Sequence, residues 1–220
     1  MSTDPLALVT VDVGGTLGTV DGPGITAALL SASPLAREDA VLVLRRQLHT
    51  VPVLTGHVVE AVCQALQIPT TAFPRDVTPA PLRLIDGALK ALERISAHLP
   101  VVTLSNVTCV EADLDSLSGM LSPWVSAHFP SCRIGFAKPD PRAFQTVAAA
   151  AGVEVGQTVH IGDHWECDVL GAVNAGARAI WISAGRTLPG DCQFARPNVL
   201  VADDLATAAD HVLDLYTRSH

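Results

Sequence analysis

Residues 6–17 read Leu6-Ala-Leu-Val-Thr-Val-Asp12-Val-Gly-Gly-Thr16-Leu17, and the rest of the chain is best understood outward from them. An apolar run ends at a single carboxylate, and two glycines and a threonine follow at once. This is the pattern of a buried strand that delivers Asp12 to its carboxyl end, the edge where open α/β sheets place their chemistry. Asp and Gly after a strand also make ordinary turns. Three further polar clusters decide between the two, each at the end of another apolar segment.

Downstream of residue 85 the rhythm is strand alternating with helix. A helix is predicted at 86–98, and a strand at 101–104 ends at Ser105-Asn106; a helix follows from about 107 to 117. Residues 129–134 hold a short strand, followed by Gly135-Phe-Ala-Lys138-Pro-Asp-Pro141 and a helix at 142–151. The strand at 158–161 ends at Gly162-Asp163, and the segment from His164 through Asp168 to Gly176 reads as a loop and a helix closed by that glycine. Strands at 179–182 and 199–201 and a helix at 205–216 complete the chain. Such alternation predicts an α/β fold, a Rossmann-like, doubly wound, mainly parallel sheet with right-handed crossovers.

The intervening segment has a different character. Residues 18–24 are dense in turn formers and read as a tight flap. Helices are predicted at 25–31, from an N-cap at Ser33 with Pro34 in the first helical position through to residue 48, and at 56–66. Pro69, Pro74, Pro79 and Pro81 then interrupt the chain, so 68–84 reads mostly as loop. Residues 1–17 and 84–220 are thus expected to form the core, and residues 18–83 a small helical cap.

Composition narrows the function classes. Of 220 residues, 49% are apolar, yet no apolar run approaches the eighteen or so needed to span a bilayer. No signal-like segment is present at the N-terminus, and the expectation is a soluble, cytoplasmic protein with no membrane partner. Cys63, Cys109, Cys132, Cys167 and Cys192 are scattered with no Cys-x-x-Cys pair, which predicts reduced packing residues and no zinc site. A formal charge of -8, with no basic cluster beyond Arg45-Arg46, argues against nucleic acid as a partner. The apolar fraction is compatible with a homo-oligomeric contact, and the oligomeric state stays open.

The ordered set Asp12-Val-Gly-Gly-Thr-Leu17, Leu104-Ser-Asn106, Lys138-Pro-Asp-Pro141 and Gly162-Asp163 followed by Asp168 resembles the four motifs of the haloacid dehalogenase-like hydrolase superfamily. The resemblance covers the core; the cap matches only in position and helical character. It implies a Rossmann-like core with an active site at the carboxyl edge of the sheet, a hydrolase that forms a covalent intermediate on Asp12, and a small phosphorylated metabolite as substrate. It also implies bound Mg²⁺, with Asp12, the backbone carbonyl of Gly14 and Asp163 as ligands and Asp168 as a ligand or a support.

Elementary chemistry points the same way. A strand-end carboxylate attacks phosphorus or carbon and divides one hard step into two. Thr16 and Ser105 offer hydroxyls, the turn through Gly14 and Gly15 offers backbone N–H groups, and Asn106 offers an amide to a transferring phosphoryl group. Lys138 supplies a fixed positive charge. Asp163 and Asp168 would repel Asp12 unless a cation lay among them, and an oxygen-only set suits a hard divalent ion.

One departure stands out. Phosphatases of this superfamily usually carry a second aspartate two residues after the nucleophile, as general acid and base; here that position is Gly14. Such catalysis is worth about 10²–10⁴ in rate, so alkyl phosphates should react poorly and acyl or aryl phosphates less so. His49, His57, Glu60 and His164 are candidates for a substitute. Branches of the superfamily that lack that aspartate include enzymes cleaving a carbon–phosphorus bond through a cap lysine, which this cap lacks, and metal-free 2-haloacid dehalogenases. A dehalogenase is the second expectation, weakened by Asp163 and Asp168, and a weakly active or inactive binding homologue is the third.

Overall fold

The computed structural model describes residues 5–22, 24–75, 77, 79–187 and 198–219; Pro23 and Cys192 lie outside the described residues. In chain order the elements are β1 (Leu8–Val11), β2 (Gly18–Val20), α1 (Ile25–Ala32), α2 (Arg37–Gln47), α3 (Gly56–Ala65), β3 (Leu82–Leu84), α4 (Ala88–Ser96), β4 (Val101–Ser105), α5 (Leu114–Leu121), β5 (Ala127–Pro130), α6 (Ser131–Ile134), α7 (Pro141–Ala150), β6 (Thr158–Gly162), α8 (Gly171–Ala175), β7 (Arg178–Ile182), β8 (Val199–Ala202) and α9 (Leu205–Ser219). A π-helical turn, Trp165–Leu170, leads into α8.

Six strands form one sheet in the order β5-β4-β1-β6-β7-β8, and every adjacent pair is parallel. Strand β1 is buried at all four positions, as its apolar run requires, with Val9 opposite Val101 on one side and Val159 on the other. The chain runs outward from β1 through β4 to β5, then crosses back to β6 on the other flank. The strand order therefore reverses between β1 and β6, and a crevice opens at their carboxyl ends. Asp12 and Asp163 both sit there.

Period-two alternation sends side chains into two apolar layers. Val9, Val11, Ile161 and Ile180 pack with Leu92, Ile95, Leu121 and Val212 beneath α4, α5 and α9. Leu8, Leu104, Ala179 and Trp181 pack on the opposite face with Phe144, Val147 and Ala172 of α7 and α8. A third apolar cluster joins α1, α2 and α3 through Leu29, Leu44, Leu48, Val62 and Leu66; each fully buried leucine contributes roughly 1.5–3 kcal/mol. This helical layer touches the core at named points. The backbone N–H of Ile25 donates to Glu111 Oε1 at 2.8 Å, and Arg45 reaches Glu166 Oε1 and Cys167 Sγ, both at 3.0 Å.

Some local expectations are corrected. Helix α2 starts at Arg37, with Ala36 as its N-cap, not after Ser33. Ser33 instead ends α1; its hydroxyl donates to the Leu66 carbonyl at 2.8 Å and accepts from the Leu35 N–H at 3.3 Å, a local turn in place of a helix cap. Helix α5 begins at Leu114, seven residues later than predicted, with Asp113 accepting from the Ser116 N–H. Residues 106–113 are held as a loop by Thr108, whose hydroxyl donates to Glu111 Oε2 at 2.7 Å. The return linker contains β3, which pairs antiparallel with β2 in the register Thr19 to Arg83, so the flap is a two-stranded ribbon. Cys63, Cys109, Cys132 and Cys167 are free thiols. No helix among the described residues is long and apolar enough to cross a membrane.

The helical layer carries an acid-sensitive group. His49 is buried, shares a 2.8 Å hydrogen bond with Thr26 Oγ1 through Nε2, and has no partner at Nδ1 among the described residues. Burial, and then the nearby Arg45, push its pKa down to about 4. The unfolded chain, titrating near 6.5, thus binds the proton first; stability is present above that value and is lost as pH falls from about 6.5 to 4, by about 3 kcal/mol in all. Urea unfolding at pH 7 and pH 4 should find the wild type losing this amount relative to His49→Gln, a difference that separates the histidine from the other titrating groups.

Candidate active site

The apolar strand β1 stops at Asp12, whose N–H is held by the Ile161 carbonyl at 2.9 Å. Alternation turns the Asp12 side chain toward the α7 and α8 face, where Lys138 arrives from the loop before α7. Lys138 is 1% exposed, and its ammonium lies 2.6 Å from Asp12 Oδ1, 2.7 Å from Asp168 Oδ1 and 2.8 Å from the Leu104 carbonyl. Its three donors are therefore all engaged. Asn106 locks the lysine's main chain: its amide donates to the Lys138 carbonyl at 2.7 Å and accepts from the Lys138 N–H at 2.8 Å.

Electrostatics differ sharply between the two aspartates. Burial is the largest influence on both. At Asp12 it combines with the neighbouring Asp168 and Asp163 to outweigh Lys138 and raise the carboxyl to about 7. At Asp168 burial is overcome by Lys138 and His160, which hold that carboxyl well below the usual carboxylate range. Lys138 is pushed above its ordinary value, because the two carboxylates outweigh its burial. Asp168 is thus the firm counter-ion and Asp12 the carboxylate whose charge depends on its surroundings.

His160, in the middle of buried β6, is a residue that sequence reasoning missed. Its Nε2 lies 3.2 Å from Asp168 Oδ1 and its Nδ1 2.8 Å from Thr10 Oγ1. Burial lowers its pKa, so the neutral ring donates from Nε2 to Asp168 and accepts the Thr10 hydroxyl at Nδ1. Asp168 Oδ2 accepts from the His164 N–H at 2.8 Å. A histidine inside an otherwise apolar strand two residues before Gly162 was the available signal.

Asp163 closes the far side. Its carbonyl accepts from Trp181 Nε1 at 3.0 Å and from Arg186 at 2.9 Å, while Arg186 stands 3.5 Å from its Oδ2. Burial and then Asp168 raise its pKa. Two glycines make the approach possible. Gly15 has φ +84°, and a Cβ there would fall 2.8 Å from Asp163 Oδ1; a Cβ on Gly162 would strike the Asp168 side chain.

The other expected residues fall as follows. Thr16 is buried with its hydroxyl 3.5 Å from Asp12 Oδ2, too long for a strong bond. Ser105 and Gly14 line a cavity together with Asn106. The expected anion-binding N–H of Gly15 is turned inward, donating to the Gly18 carbonyl at 2.8 Å, because the flap ribbon needs that bond to close. Asn106 faces Lys138 as described. Among the candidates for a substitute acid, His49 is inside the helical layer, His57 and Glu60 are exposed on α3, and His164 Nδ1 accepts from the Cys167 N–H as a helix cap.

One oxygen from each of Asp12, Asp163 and Asp168 lies within 4.8 Å of the others. Lys138 alone leaves this trio short of positive charge, and Asp12 Oδ2 and the Asp163 carboxylate have only the 3.5 Å contacts just given. An all-oxygen, acidic, partly unsatisfied set of this kind fits a hard divalent cation.

The fold and this site define a doubly wound α/β protein with a lysine-bridged cluster of carboxylates at its switch point. A family model described as HAD-hydrolase-like matches residues 135–208. Phosphoserine phosphatase of Thermus thermophilus is 40% identical over 73 residues, 33% of this chain and 28% of that one. Phosphoglycolate phosphatase of Caulobacter vibrioides is 35% identical over 108 residues, 49% of this chain and 44% of that one. The chain therefore matches less than half the length of either relative. A 2-haloacid dehalogenase structure from Pseudomonas syringae pv. Tomato superposes over 95% of this chain and 98% of its own, with a TM-score of 0.59 and 20% identity, a likeness of fold. Over these matched stretches the chain is similar to haloacid dehalogenase-like hydrolases.

Proposed function

We propose that the chain is a Mg²⁺-dependent phosphatase of small phosphorylated metabolites in which Asp12 is the nucleophile, residues 18–83 acting as a cap over the crevice. The observation that carries this reading is the convergence of Asp12, Lys138, Asp163 and Asp168 at the carboxyl edge of β1 and β6. Asp12 and Asp163, with the Gly14 carbonyl, would hold the cation, which supplies charge neutralisation to the phosphoryl group; Asp168 supports Lys138 and His164. A carboxylate oxygen of Asp12 bonds to phosphorus as the ester oxygen departs with its electron pair. Water then attacks the phosphorus, phosphate leaves, and the Asp12 carboxylate is regenerated. Lys138 favours the ionised form of Asp12 and orients it, and Ser105 and Thr16 supply hydroxyls near the anion. Gly14 has no side chain to protonate the departing oxygen, so the rate falls with poorer leaving groups.

The test is phosphate release from acetyl phosphate and p-nitrophenyl phosphate, with Mg²⁺ and with chelator. Release that chelator abolishes is the expected result. Halide release from 2-haloacids in chelator would replace this reading with a dehalogenase, and neither activity would leave a binding protein. A Cβ at Gly14 meets no atom within 4 Å, so Gly14→Asp has room to restore the missing acid. It should raise kcat on an alkyl phosphate by about 10² or more; an unchanged rate would mean that another group already donates the proton.

A further inference from the structure

A cavity of about 200 Å³ has Gly14, Ser105 and Asn106, three of the residues proposed to meet the phosphoryl group, in its wall. Its far end is bounded by Leu117 and Met120 of α5, Leu82 of the flap ribbon and His128 of β5. An engineered cavity of about 150 Å³ accepts one benzene, so this volume takes one substituted aryl ring. The charged lining matters as much as the shape. Glu111 and Asp113 contribute to the wall, and among the described lining residues there is no lysine or arginine. His128 Nδ1 is tied to Thr103 Oγ1 at 2.9 Å, and burial lowers its pKa, so it adds no positive charge at neutral pH.

We propose that this cavity receives the leaving group and selects an uncharged aryl group over one that carries a second anion. The inference rests on the phosphatase reading above and names its substrate class. Two independent observations meet in it. A second carboxylate or phosphate entering the cavity would be desolvated near the partly buried Glu111, whose oxygens already accept from the Ile25 N–H and the Thr108 hydroxyl, with no cation among the described lining residues to receive it. A phenolate leaves with a pKa near 10, roughly that of a tyrosine side chain, and needs little help from the acid that Gly14 does not provide. Phosphoserine and phosphoglycolate, for which two relatives are named, both carry the extra carboxylate that this wall lacks the means to bind.

The experiment compares 4-methylphenyl phosphate with 4-carboxyphenyl phosphate, which match in size, the carboxyphenyl ester having the slightly better leaving group, so that intrinsic reactivity opposes the expected preference. Wild-type protein with Mg²⁺ should show kcat/KM at least tenfold higher on the methyl compound, and Met120→Lys should narrow or reverse that ratio. Equal kcat/KM on the two esters would overturn the inference while leaving the phosphatase intact, as would turnover of acetyl phosphate with neither aryl ester accepted. If no phosphate ester or acyl phosphate reacts, the phosphatase reading fails separately, and the cavity is tested by ligand titration followed at the Met120 methyl resonance. A shift with p-cresol and none with 4-hydroxybenzoate then supports the selection, and no shift with p-cresol overturns it.

Discussion

On the proposed mechanism Asp12→Asn should abolish phosphate release, lowering kcat by about 10⁴ or more, without unfolding the protein. The catalytic part follows from the chemistry, since an amide cannot form or release the phosphoryl bond that a carboxylate forms. The stability part follows from the site's electrostatics. Burial, opposed by Lys138 and joined by Asp168 and Asp163, raises the Asp12 carboxyl to about 7 from an ordinary value near 3.8. The folded state therefore binds this proton more tightly than the unfolded chain does. Its contribution is present below about pH 4 and is lost as pH rises through 7, at a total of a few kcal/mol. An uncharged asparagine lacks that slope. In chelator, urea unfolding at pH 5 and pH 8 should find the variant gaining on the wild type at the higher pH. A variant that loses activity and several kcal/mol together at pH 8 would instead make Asp12 a structural partner of Lys138.

The second large effect belongs to Lys138. Lys138→Met fits an unbranched apolar chain into the same buried path but leaves Asp12 and Asp168 facing each other without their common partner. Breaking a buried ion pair by removing one member costs about 3–5 kcal/mol, which for a chain of this size lowers Tm on the order of 10 °C. Activity should be lost with it, because the proposed nucleophile is no longer fixed. Added Mg²⁺ should raise the Tm of the variant more than that of the wild type, since the cation then replaces the charge lost between Asp12 and Asp168. A Tm within 2 °C or so of the wild type would show that Asp12 and Asp168 share a proton and do not need the lysine.

How much of this was legible beforehand depends on range. The strands of the core could be read because a buried parallel strand is a nearly continuous apolar run, and β1, β4, β6 and β7 all are. Asp12, Ser105, Lys138, Asp163 and Asp168 stood out because each polar residue ends or follows such a run. What pairs across the chain was not legible. Nothing in the vicinity of Ser33 says that its hydroxyl belongs to Leu66, and Thr70 to Leu84 shows no alternation strong enough to announce that Leu82–Leu84 will pair with the flap. His160 was hidden for a related reason: its meaning lies in Thr10 and Asp168, which topology brings to it. The cavity wall of Leu117, Met120 and His128 is likewise assembled from α5 and β5, whose helix boundary local pattern placed too early.

The distribution of lysine has a practical side. The chain holds two, Lys90 and Lys138; the first is exposed on α4, and the second has its ammonium enclosed by two carboxylates and a carbonyl. An amine-reactive reagent applied to the native protein will therefore modify the Lys90 side chain and leave Lys138 intact. The ratio of adducts at the two positions, read by mass spectrometry after digestion, becomes a built-in clock for how often the crevice at the carboxyl edge of the sheet comes apart, with Lys90 as the internal reference.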